Sequence, residues 1–126
     1  MKSKARFDRD FRVVFLHLFN MMALNPYQID LIRTYFRTRP VMRAWIFGSH
    51  ARGEANADSD IDILVELDYD SKIGWEFITM QHELQEALGK KVDLISARGL
   101  SPFIGPHIEA EKQLIYERFV KRQRAA

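Results

Sequence analysis

Residues 45–66 read WIFGSHARGEANADSDIDILVE. An apolar run, Trp45-Ile46-Phe47, leads into Gly48-Ser49. Ten residues separate Ser49 from Asp60, and Asp60 and Asp62 stand in a second apolar run with Ile61, Ile63, Leu64 and Val65. Side chains two apart on a strand share a face, so both carboxylates leave one side of a sheet with Cα atoms about 7 Å apart. Carboxylates that close repel unless a cation lies between them. Mg²⁺ suits such a place, being a hard ion that takes one or two carboxylates together with substrate phosphates. Gly48-Ser49 reads as a tight turn from strand to helix, whose backbone N–H groups and positive helix end hold a phosphate. Metal and phosphate cradle side by side point to phosphoryl or nucleotidyl transfer.

The rest of the chain agrees with one soluble domain. Its 126 residues suffice for a single core, and 47% hydrophobic with 29% charged residues is an ordinary globular composition. The absence of cysteine excludes disulfides, thiol catalysis and cysteine-held zinc, which fits a cytoplasmic protein. A net charge of +2 makes no case for direct nucleic-acid binding, and none is expected. Charge is unevenly spread: from Glu54 to Asp70 there are seven acids and no Lys or Arg, as a cation site needs. Basic residues gather at the ends (Lys2, Lys4, Arg6, Arg9, Arg12, then Lys121, Arg122, Arg124), where solvated tails are the plainer reading and contact with RNA or an acidic partner the other.

Residues 1–24 fit an extension outside the core. Lys and Arg followed by Val13-Val14-Phe15-Leu16 imitate an export signal, but Asp8, Asp10, His17 and Asn20 interrupt it and no small-residue cleavage site follows. No export and no membrane span are expected. Met21 and Met22 offer alternative starts, and a short amphipathic helix packed on the domain is the competing reading. Asn25-Pro26-Tyr27-Gln28 opens a helix with a cap, a first-turn proline and a Gln three residues on. Ile29, Ile32 and Phe36 follow at helical spacing until Arg39-Pro40. Strands are expected at Val41–Phe47, Ile61–Leu67 and Val92–Ile95, a short helix from Ser49 to about Ala55, a loop at Asn56-Ala57-Asp58, and a polar turn from Asp68 to Lys72. Gly74 to Leu88 reads as an amphipathic helix with Trp75, Ile78, Leu84 and Leu88 inward and Gly89 closing it. Ser101-Pro102 and Pro106 open helical turns towards Glu111, and Leu114-Ile115-Tyr116 reads as a last strand. The fold class is therefore α/β, a small mixed sheet with helices packed on it. The core covers 25–117 and a basic tail 118–126.

Other residues divide less sharply. Asp93 is a lone acid in the apolar stretch Val92-Asp93-Leu94-Ile95 and needs a partner or a role there; a strand-end Asp capping a loop is the plain alternative. Arg52, one turn past Gly48-Ser49, reaches a phosphate with its guanidinium fork or pairs with Glu54 or Asp58. Ser49 is a phosphate contact rather than a nucleophile, since no His–acid pair is visible to activate it. His50 is expected to be exposed, and His17, His82 and His107 are too scattered to share a metal. Phe36, Trp45, Phe47, Trp75 and Phe77 are expected to pack in the core rather than to stack on bases.

The pattern resembles the G-S-x10-D-x-D signature of the DNA polymerase beta nucleotidyltransferase superfamily. Arg52-Gly53 and the run Ser59-Asp60-Ile61-Asp62 are most similar to the bacterial and archaeal minimal nucleotidyltransferases, and the likeness runs from about Asn25 to Tyr116. It implies a polymerase-beta-type core in which Gly48, Ser49, Arg52 and Ser59 bind the nucleotide and Asp60, Asp62 and Asp93 hold two Mg²⁺ ions. Asp93 matches the family's third carboxylate by position, as general base or as ligand of the second metal. ATP would be the donor. Larger relatives carry added domains for the acceptor, and nearly all of this chain belongs to the nucleotide half, so a docking macromolecule is the expected acceptor. Minimal members pair with HEPN-domain toxins. The resemblance thus implies an antitoxin that moves AMP from ATP to a tyrosine of its HEPN partner. Two rival readings are an antitoxin that acts by binding alone and a small-molecule, antibiotic-type nucleotidyltransferase.

Overall fold

Strand β1 (Val41–Phe47) is an interior strand of a four-stranded sheet whose order is β3 (Val92–Ser96), β2 (Ile61–Leu67), β1, β4 (Gln113–Glu117). The computed structural model of the chain describes residues 24–119; residues 1–23 of the expected extension and 120–126 of the expected tail lie outside them, while Leu24 is buried in the main core and Arg118 Nη1 donates to Asp68 Oδ2 at 2.8 Å. β1 runs antiparallel to β2 (Ile61–Leu67) and to β4 (Gln113–Glu117), while β2 and β3 (Val92–Ser96) are parallel. Parallel neighbours need a long crossover. Here it is helix α3 (Glu76–Leu88). The sheet is therefore mixed, and the α/β fold class read from the sequence holds.

Alternation sorts the side chains. On β2, Ile61, Ile63, Val65 and Leu67 join the main core, which includes Ile29, Ile32 and Phe36 of helix α1 (Pro26–Phe36) and Met80 and Leu84 of α3. Leu64 points the other way, into a smaller cluster with Phe47 and Ile108, the latter from helix α4 (Gly105–Glu111). Asp62 shares the side of Leu64 by the same period of two. A bulge between Val41 and Arg43 lets both Val41 and Ala44 face the main core.

Local signals hold where they were strongest. α1 begins with a capping box: Asn25 Oδ1 accepts from the Gln28 N–H at 2.8 Å, and Gln28 Oε1 accepts from the Asn25 N–H at 3.1 Å. Strand β3 lies at the sheet edge, and α3 covers that edge, since Gln85 and Gln81 accept the Val92 and Leu94 N–H groups at 3.2 and 3.1 Å. No helix among the described residues is long and apolar enough to cross a membrane.

The inward face of α3 differs from the reading above. Trp75 is 82% exposed and Ile78 49% exposed, whereas Met80 and Leu84 are buried with Phe77 and Leu88 beside them. At 3.6 residues per turn Trp75 lies about 180° around from Leu84. The two residues cannot share a face, so the stripe is 77-80-84-88. Leu84→Ala should therefore cost about 2–5 kcal/mol, and Ile78→Ser less than about 0.5 kcal/mol, in urea denaturation. Equal losses would contradict this orientation.

Candidate active site

Parallel pairing sets Asp62 opposite Asp93, with Ile61 opposite Val92 and Ile63 opposite Leu94 to either side. Both acids sit on the α4 face, because their neighbours in sequence fill the main core. The Asp62 carboxyl is pushed up to about 6 by burial first, then by the neighbouring Asp93 and Asp60, with Arg52 opposing. A like charge beside a half-buried carboxylate disfavours its ionised form.

Asp60 stands one residue ahead of β2. Its Oδ2 lies 3.6 Å from Lys91 Nζ, an exposed pair of the kind that contributes little. Lys91 escaped the sequence reading, because the acid-rich stretch looks free of cations until the β2–β3 register brings residue 91 beside residue 60. Among the described residues no three Asp, Glu or His side chains converge, as they stand, to hold an ion.

Gly48 joins β1 to the four-residue helix α2 (Ser49–Arg52). Its φ of 74° and ψ of −152° lie in a region reserved for glycine. A Cβ there would run into the Asp62 carboxylate, so the turn and Asp62 are packed together. Gly53, at φ 71°, closes α2 earlier than the expected end near Ala55, because a left-handed residue caps the helix there.

The Gly48 N–H donates to Glu111 Oε1 at 2.9 Å, and Arg52 Nη1 donates to Glu111 Oε2 at 3.0 Å. Arg52 Nε also donates to Glu54 at 3.0 Å, the pairing weighed against a phosphate role. Burial opposes ionisation of Glu111, but the Gly48 N–H, Arg52 and His107 outweigh it and hold the carboxyl below its usual range. Glu111 is 63 residues from Gly48, and no local pattern announced it.

Ser59 is not aimed at this turn: its hydroxyl accepts the Asn56 N–H at 2.9 Å and closes the 56–59 turn that feeds Asp60. His50 corrects the expectation of exposure. It is fully buried, and neither ring nitrogen has a hydrogen-bond partner. Burial, then the nearby Lys90, lowers its pKa against the opposing pull of Asp60, which favours the neutral ring. A single helical turn laid on the sheet has an inner side, and Ser49 opens the turn, so residue 50 goes in.

A mixed sheet that sets a Gly-Ser turn against paired acids defines a nucleotidyltransferase domain. Residues 30–119 match the model described as polymerase beta, nucleotidyltransferase, and the chain belongs to this family. A Methanocaldococcus jannaschii protein named for protein adenylyltransferase activity is 43% identical over 68 residues, which are 54% of this chain and 72% of the relative. A solved minimal nucleotidyltransferase superimposes with a TM-score of 0.60 at 30% identity, over 69% of this chain and 88% of that one. A third neighbour is the Shewanella oneidensis complex of a tri-AMPylated HEPN toxin with its MNT antitoxin, with a TM-score of 0.55 at 19% identity over 72% and 71% of the two chains.

The raised Asp62 pKa carries a definite sign. Between the ordinary 3.8 and about 6 the folded chain holds a proton that the unfolded chain has lost. Stability of the metal-free protein should thus fall as pH rises through that window. Asp62→Asn should abolish this slope and raise the melting temperature at pH 8. Gly48→Ala should lose about 1–3 kcal/mol from backbone strain alone, and a melting temperature like wild type would refute the packing described.

Proposed function

We propose that this nucleotidyltransferase is Mg²⁺-dependent, moves AMP from ATP to a tyrosine hydroxyl of a HEPN-domain toxin, and so acts as that toxin's antitoxin in the cytoplasm. The observation that carries the chemistry is the in-register pair Asp62 and Asp93, with Asp62 packed against Gly48. The Asp62–Asp93 pair is short of positive charge, for burial, then Asp93 and Asp60, push the Asp62 carboxyl up to about 6. With Asp60 it offers oxygen donors alone, the set that suits Mg²⁺ rather than a softer metal. These three acids would hold the metal, two ions in the presence of the triphosphate. When bound, the metal neutralises the phosphates and the charge that builds on the leaving group.

The chain's own residues do the rest. Gly48, Ser49 and Arg52 hold the phosphates, and Ser59 contributes by closing the turn before Asp60. The partner hydroxyl attacks the α-phosphorus, the bond from that phosphorus to the bridging oxygen breaks, and pyrophosphate leaves. Asp93 accepts the hydroxyl proton. Support for a toxin as acceptor comes from family membership, from the adenylyltransferase name of the Methanocaldococcus relative and from the AMPylated HEPN toxin in the Shewanella complex.

The test is mass spectrometry of the cognate HEPN partner after incubation with Mg²⁺ and labelled ATP. Wild type should add nucleotide mass and Asp60→Ala none. Asp93→Asn should slow transfer by roughly 10²–10⁴-fold while melting no lower than wild type. Equal toxin inhibition by wild type and Asp60→Ala, with no mass change, would favour binding alone.

A further inference from the structure

The turn at Gly48 already holds an anion, and that anion is part of the protein. Glu111, the last residue of α4, takes the Gly48 N–H with one oxygen and the Arg52 guanidinium with the other. Both donors belong to the turn assigned above to nucleotide phosphates. A carboxylate and a phosphate make the same demand on them, a short charge-assisted hydrogen bond. One donor set cannot serve both fully.

The surroundings fit an exchange. The Glu111 side chain is 25% exposed, so its carboxylate has water to turn into. Its backbone stays in place without that contact. Ile108 anchors α4 in the small cluster with Phe47 and Leu64. Gln113 Nε2, two residues beyond Glu111, donates to the Ala51 carbonyl at 3.1 Å and ties the same segment to α2. Release of Glu111 therefore frees two donors without dismantling the site.

We propose that Glu111 is a specificity-determining residue of the nucleotide site: its carboxylate stands in for phosphate on Gly48 and Arg52, and a polyphosphate chain is needed to displace it. The inference rests on the nucleotidyl-transfer reading. A ligand without phosphate leaves Glu111 in place and gains nothing from these donors. A triphosphate replaces one carboxylate with several charged oxygens and prevails. Once pyrophosphate has left, Glu111 returns to its donors, which favours departure of the products.

Calorimetric titration of the full chain in Mg²⁺ with ATP, AMP and adenosine tests this. Glu111→Gln keeps the size of the side chain and removes its charge. ATP should then bind about tenfold more tightly, the order expected from weakening a competing charge-assisted bond, and adenosine should be unchanged. Equal or weaker ATP binding overturns the proposal. So does a uniform shift for all three ligands, which is what a merely structural role would produce. If the variant does not fold, the ¹³C carboxyl resonance of Glu111 in the wild-type protein decides. It must move with ATP and stay put with adenosine; a resonance indifferent to ATP overturns the proposal. Failure of the underlying reading looks different, because wild type then shows no Mg²⁺-dependent ATP binding and Asp62→Asn titrates identically.

Discussion

Two like charges are held side by side here by forces that have nothing to do with them. Asp62 and Asp93 face one another because β2 and β3 are parallel and in register, and that register is set on the opposite face. There Ile61, Ile63, Val92 and Leu94 are buried. A slip of one residue would turn the apolar side chains outward and the acids into the core. Burial of four such side chains is worth about 6–12 kcal/mol, an upper figure since unfolded chains already bury some of it. Two full charges 4 Å apart near a surface repel by about 4 kcal/mol. Core burial wins, and the leftover repulsion, added to burial, shows in the Asp62 carboxyl, which is pushed up to about 6.

The rest of the site follows from that forced proximity. Gly48 must be glycine on two counts, its backbone conformation and the acid lying against its Cα. The short helix after it is fixed from below by buried His50 and from the side by Glu111 and Gln113 of the α4–β4 segment. Negative groups at this end of the sheet are thereby matched with fixed donors and with Lys91. Strain and unbalanced charge concentrate at one edge, while the larger core beneath α1 and α3 is conventionally packed. That division is common where stability and chemistry make opposing demands.

How much was legible depended on how local the cause was. β1 and β2 run over the residues read from the sequence, because Pro40, Gly48 and alternating apolar residues bound them within a few positions. The cap of α1 and the left-handed Gly89 after α3 are likewise short-range chemistry. The inward face of α3 was misread because Trp75 is apolar but belongs to the turn before the helix, and hydrophobicity alone does not give rotational phase. His50 was misread because a four-residue helix is too short to show a period.

The sequence by itself determined the chemistry on offer: a Gly-Ser turn, two acids beyond a ten-residue gap, and a third in a later apolar strand. Each is a pattern within about a dozen residues, where strand period and turn stereochemistry act directly. Only the tertiary structure decided what those groups meet. Asp93 joins Asp62, Lys91 comes beside Asp60, and Glu111 reaches Gly48 through strand order and register, which depend on burial summed over the whole sheet. No local window contains that sum.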